Sequence, residues 1–77
     1  MVEAFVLITC DYGQEEKILE ELDKIEEIQV INRLEGPYNI LLKINSDTID
    51  EIKEIVTGQI KTMDKIRHTL TLKIKTD

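Results

Sequence analysis

No tryptophan occurs in these 77 residues, and the chain has only one phenylalanine, two tyrosines, one histidine, one proline and one cysteine. Each scarcity closes off a kind of chemistry. Cys10 alone makes no internal disulfide and cannot supply the paired thiolates that a soft cation needs, so a disulfide scaffold and a copper-chaperone loop are both excluded. His68 has no cysteine or acid at ligand spacing, so no metal, cofactor or catalytic residue is assigned. Long apolar runs are missing as well: Ala4 to Ile8 is far short of the roughly 20 residues of a spanning helix. Met1 to Thr9 lacks a basic n-region and a cleavage site. A cytoplasmic, reduced protein without a membrane partner is expected. Basic residues are in deficit, 10 against 16 acids, and the net charge of −6 repels a phosphate backbone. Direct nucleic-acid binding is not expected.

What is present is a folding pattern. Apolar residues make up 42% and charged residues 34%, the balance of a globular chain and not a disordered one. Residues 1–77 read as a single domain, so small that it buries only about 60% of the surface its unfolded form exposes. Val2 to Thr9 is almost continuously apolar and β-branched, as a central strand would be. After the turn Asp11-Tyr12-Gly13, residues Ile18, Leu19, Leu22 and Ile25 fall on one helical stripe, with Glu15, Glu16, Glu20, Glu21 and Asp23 elsewhere. Ile28 to Leu34 reads as a second strand, Gly36-Pro37 interrupts it, and Asn39 to Ile44 forms a third. Ser46 is the expected N-cap of a second helix carrying Ile49, Ile52, Val56, Ile60 and Met63. Gly58 inside it implies close packing against a neighbour. Ile66, His68, Leu70, Leu72 and Ile74 alternate with Arg67, Thr69, Thr71, Lys73 and Lys75, giving a strand with one apolar and one polar face.

The two halves echo each other. A shift of 34 or 35 positions lays Phe5 to Ile8 over Ile40 to Lys43, Ile18 over Ile52 and Leu22 over Val56. With right-handed crossovers, this duplicated βαβ gives an α+β, ferredoxin-like βαββαβ sandwich: a four-stranded antiparallel sheet with two helices on one face. The other face has no cover. Either Phe5 and Leu7 or Ala4 and Val6 must point into it, leaving apolar surface that face-to-face dimerisation would bury. The aromatic-poor third strand excludes an RNA-stacking sheet. The acids of the first helix read as a solvated face. Opposite in sign, Lys61, Lys65, Arg67, Lys73 and Lys75 could orient neighbouring subunits. Cys10 reads as a small residue packed at a strand end, and His68 as a buried or interface histidine.

Two segments carry a family resemblance. Leu34-Glu35-Gly36-Pro37-Tyr38-Asn39-Ile40-Leu41-Leu42-Lys43-Ile44 is similar to the strand-turn-strand of the effector-binding (RAM) domain of Lrp/AsnC transcription regulators, where a Gly-x-Tyr-Asp turn precedes an apolar strand. Ile66-Arg67-His68-Thr69-Leu70-Thr71-Leu72 resembles that family's closing strand, and the resemblance covers essentially the whole chain. It implies a small-molecule, amino-acid-sensing and oligomerisation module linked to transcription regulation. Sheets would pair into dimers, dimers into rings, and the effector would sit between dimers. The family's N-terminal helix-turn-helix is not seen, so the chain resembles the stand-alone form, which could also co-assemble with full-length Lrp/AsnC regulators.

Carried over onto this sequence, the resemblance implies ligand-binding roles for Gly36, Pro37, Tyr38 and Asn39 in the turn, and for Thr69 and Thr71 in the strand. Threonine hydroxyls offer donors and acceptors to an α-amino and carboxylate group. Asn39 stands where the family usually has an acid and keeps only a neutral acceptor, while Pro37 removes a backbone donor. Two other readings share this topology. A cofactor-independent dimeric α/β-barrel enzyme would use His68 and Tyr38, though no second polar partner for His68 is evident. An ACT-type regulatory domain would bind its ligand at Asp11-Tyr12-Gly13. The reading preferred is the non-enzymatic sensor.

Overall fold

A computed structural model describes residues 1–74. The strands are β1 (Val2–Cys10), β2 (Ile28–Arg33), β3 (Ile40–Ser46) and β4 (Ile66–Lys73), and the helices α1 (Glu15–Asp23) and α2 (Ile49–Ile55). They form one antiparallel sheet in the order β2-β3-β1-β4. This is the expected ferredoxin-like βαββαβ arrangement, with β1 and β3 in the middle. Lys75, read as the last polar residue of the closing strand, lies outside the described residues.

Alternation along the strands decides which side faces the helices. Ala4, Val6 and Ile8 of β1 and Ile40, Leu42 and Ile44 of β3 are fully buried. They meet Ile18 and Leu22 of α1 and Ile52 and Ile55 of α2, the helical positions that the internal repeat superposes or neighbours. Each fully buried Leu or Ile contributes about 1.5–3 kcal/mol of transfer free energy. Cys10 closes this layer at the end of β1, 7% exposed. Small Ala4 goes inward, so Phe5 and Leu7 occupy the open face.

Four local expectations are corrected. Ser46 is not the cap of α2: it is the buried last residue of β3, and its hydroxyl donates to the Glu51 carboxylate. Thr48 has the extended backbone of an N-cap, and its Oγ1 accepts from Glu51 N at 3.2 Å, the Thr-x-x-Glu spacing of a capping box. The second helix is not one α-helix to Met63. A π-helical segment, Val56–Ile60, follows α2, with Lys61 N donating to Val56 O at 2.8 Å. Val56 and Ile60 stay in the core while Gly58 faces outward, where an added Cβ would meet nothing within 4 Å. The close packing expected of Gly58 is therefore absent. Last, Ile66 does not share a face with His68, Leu70 and Leu72. A register shift at Thr9/Cys10 pairs Cys10 with Ile66, and this bulge turns Ile66 onto the helix side, against the core.

Candidate functional site

Residues paired directly across a ladder share a face, so the registers define what the open side presents. Phe5 opposes Leu72, Leu7 opposes both Leu70 and Leu41, and Val30 opposes Lys43. Six apolar side chains from four strands thus lie on one uncovered surface, with Leu72 at 47%, Val30 at 40% and Leu70 at 39% exposure. Lys43 Nζ is 2.8 Å from Glu3 Oε2, an ion pair within this surface. His68 opposes Thr9 on the same face and is exposed in the single chain. It is not buried, which leaves the interface reading of this residue.

The β2–β3 turn is built on β1. Gly36 has φ +124°, a conformation that side chains rarely adopt, and this explains a glycine there. Asn39 N donates to Ile8 O at 2.8 Å, Leu34 N to Asn39 O at 2.8 Å, and Thr9 Oγ1 to Pro37 O at 2.8 Å. The Asn39 side chain works structurally: its Oδ1 accepts from Cys10 N at 2.9 Å, satisfying a strand-end amide beside the bulge. Tyr38 is half-buried.

Thr69 and Thr71 pair with Ile8 and Val6 and therefore lie on the helix side of β4. Since β4 is the sheet's edge strand, they sit outside the core. Thr71 opens onto a groove of about 430 Å³ with Val56, Lys53, Lys61 and Lys73, and Thr69 onto one of about 350 Å³ with Lys61, Arg67 and His68. Asn39 belongs to a third recess, about 350 Å³, with Glu15, Arg33, Leu34 and Glu35. Strand β1 separates the turn from the two threonines, so a single chain does not bring the six expected residues into one pocket. Glu15 and Arg33 were not singled out from sequence: an acid in a helix's first turn looks the same whether solvated or folded over a neighbouring strand.

The Asp11-Tyr12-Gly13 loop is tied down by Asp11 N donating to Lys65 O at 2.9 Å and by an Asp11–Arg67 ion pair. Tyr12 is fully exposed. The Cys10 thiol has its pKa pushed up by burial first, and then by the charges of Glu15 and Asp11. It is held in the protonated form, a poor nucleophile and metal ligand. Among the described residues there is no cluster of His, Cys, Asp and Glu able to hold a metal ion. No helix there is long and apolar enough to cross a membrane.

The fold is a small α+β domain that leaves one face of its sheet uncovered. The chain belongs to the Lrp/AsnC family: the model of the Lrp/AsnC ligand binding domain matches residues 3–74. Regulatory protein AsnC of Haemophilus influenzae is 32% identical over 57 residues, covering 74% of this chain and 38% of that protein. The chain thus spans well under half the length of that curated relative. The crystal structure of FFRP-DM1 superposes with a TM-score of 0.93 at 28% identity, covering 97% of this chain and 100% of that one. A transcriptional regulator of Neisseria meningitidis, solved as an L-Met complex, superposes with a TM-score of 0.89. At 13% identity, with 99% of this chain and 51% of that one covered, it is alike in fold alone. The Haemophilus and Neisseria proteins are named as regulators. Helices α1 and α2 are separated by two strands, so no helix-turn-helix occurs among the described residues.

Proposed function

We propose that residues 1–77 act as one effector-sensing and assembly unit in transcription regulation, without catalysis and without contacting DNA themselves. The observation that carries this reading is the six-residue apolar surface on the open side of the sheet, a contiguous exposed patch of the kind that marks an interaction surface. A second copy, sheet to sheet, covers it, and dimers then assemble further, alone or with DNA-binding members of the family. Family membership supports an amino acid or a similar small molecule as effector, as does the L-Met found in a regulator of the same fold. The turn Gly36-Pro37-Tyr38-Asn39 and the strand Thr69-Leu70-Thr71 occupy opposite sides of β1 within one chain. A neighbouring copy is what unites them in a single cleft. The net charge of −6 argues against direct DNA contact.

Two measurements test the reading together. Light scattering at micromolar concentration should report a dimer or larger species, and calorimetry across the common amino acids should find at least one that binds more tightly than millimolar. A monomer that binds none of them would remove both halves of the reading.

A further inference from the structure

The recess beside the β2–β3 turn places a carboxylate with one buried, unpartnered oxygen beside a largely exposed guanidinium. Glu15 Oε1 is the only buried side-chain oxygen or nitrogen without a hydrogen-bond partner among the described residues. Its other oxygen, Oε2, lies 3.8 Å from Arg33 Nη2. That is a charge contact, well beyond the roughly 2.7–2.9 Å of a charge-assisted hydrogen bond. An acceptor buried without a donor is strongly disfavoured, and native structures nearly always supply one. Asn39 Oδ1 cannot be the charged acceptor here, because it is neutral and engaged by Cys10 N. With Glu15 and Glu35 against Arg33, the recess is net negative, so it favours a ligand that brings a cationic group. Its volume of about 350 Å³ suits a small metabolite, and Leu34 supplies an apolar wall.

We propose that Glu15 and Arg33 read the head group of a zwitterionic α-amino acid. The α-ammonium donates to Glu15 Oε1, the α-carboxylate accepts from the Arg33 guanidinium, and the ligand's side chain lies along Leu34. Alternating charges then run Arg33, carboxylate, ammonium, Glu15, so each ligand charge meets its opposite and the loose ion pair is bridged instead of broken. Glu35 at the same recess repels an acidic ligand side chain, and aspartate and glutamate are selected against. This assignment rests on the amino-acid reading above and supplies the carboxylate that Asn39 does not provide.

The test is calorimetry on the full chain, first with the common amino acids and then with the tightest binder in three forms: free, as its amide and as its N-acetyl derivative. Both modified ligands should bind wild type at least tenfold more weakly than the free amino acid. Glu15→Gln and Arg33→Gln should each weaken the free amino acid at least tenfold, with thermal melts confirming the fold. Glu15→Gln should no longer distinguish the free from the N-acetyl form, and Arg33→Gln no longer the free from the amide form. If wild type binds no amino acid, the functional reading and this assignment fall together. If wild type binds one but the variants bind it equally, or the amide binds wild type as well as the free acid does, the head-group assignment is wrong and the sensing role survives. The ligand comparison on wild type decides the matter even where a variant fails to fold.

Discussion

Two aspartate substitutions separate the observed start of α2 from the one that composition suggests. Asp, Asn, Ser and Thr are all good N-caps, so Thr48→Asp keeps an acceptor for Glu51 N and should change stability by less than about 0.5 kcal/mol. Ser46→Asp would be equally mild if Ser46 were the cap. In the structure Ser46 is only 6% exposed and its hydroxyl donates to Glu51. An aspartate there loses that donor and buries a charge against a like charge, which costs about 3 kcal/mol or more. For 77 residues the unfolding entropy near the midpoint is roughly 0.16 kcal/mol/K, so 3 kcal/mol lowers Tm by about 18 °C. The whole domain is worth only about 4–12 kcal/mol. Thermal melts followed by circular dichroism, at one fixed protein concentration because assembly shifts Tm, should show Ser46→Asp largely destabilised and Thr48→Asp near wild type. Equal, small shifts for both would refute the assignment of the cap and the buried role of Ser46.

Leu72→Glu, on the open face and 47% exposed in the single chain, should fold yet fail to assemble, giving a monomer by analytical ultracentrifugation where wild type is larger. Gly58→Ala should raise stability by about 0.5–1 kcal/mol, since its Cβ meets nothing within 4 Å and alanine costs less backbone entropy in a helix; a lower denaturation midpoint would contradict it. Cys10 should react with a thiol reagent at pH 8 far more slowly than in the unfolded chain. Its burial, Glu15 and Asp11 raise its pKa, so the thiolate fraction is reduced at any pH below that raised value; equal rates would show that the strand end opens freely.

The fold was legible because two periods dominate the sequence and repeat in both halves. Burial of Ile18 and Leu22 mirrors that of Ile52 and Val56, as the 34-residue shift implies. Alternation alone allows two phases for β1, and tertiary packing decides between them: Ala4 lies fully buried beneath the helices and Phe5 takes the open face. Alternation could not show that Ile66 leaves its face, because a bulge inserts a residue without any signature in hydrophobicity. Thr48 was legible in principle, since its threonine stands three residues before Glu51, whereas Ser46 stands five before. The turn residues were found from their family likeness. The recess partners of Asn39 were not, since Glu15 and Arg33 come from α1 and β2 and meet only after the sheet has ordered itself β2-β3-β1-β4.

Strand β1 joins the proposed effector turn to the proposed assembly face. Its Ile8 carbonyl and Cys10 amide bond Asn39, and its Thr9 hydroxyl bonds Pro37, while Phe5 and Leu7 of the same strand stand on the open side. An effector that displaces the turn must break these contacts or carry β1 with it. Moving β1 moves the apolar surface. Coupling between two sites is reciprocal: if effector tightens assembly by some factor, assembly tightens effector binding by the same factor. Thr9→Val removes the Pro37 contact at nearly constant volume and should lower that factor; because Thr9 itself stands on the open face beside His68, intrinsic assembly without effector is measured for the variant as well. Effector affinity measured above and below the assembly midpoint, for wild type and variant, gives both factors. A wild type whose effector affinity is indifferent to assembly would show that the turn and the open face act independently, and that the bonds to β1 only fix the shape of the loop.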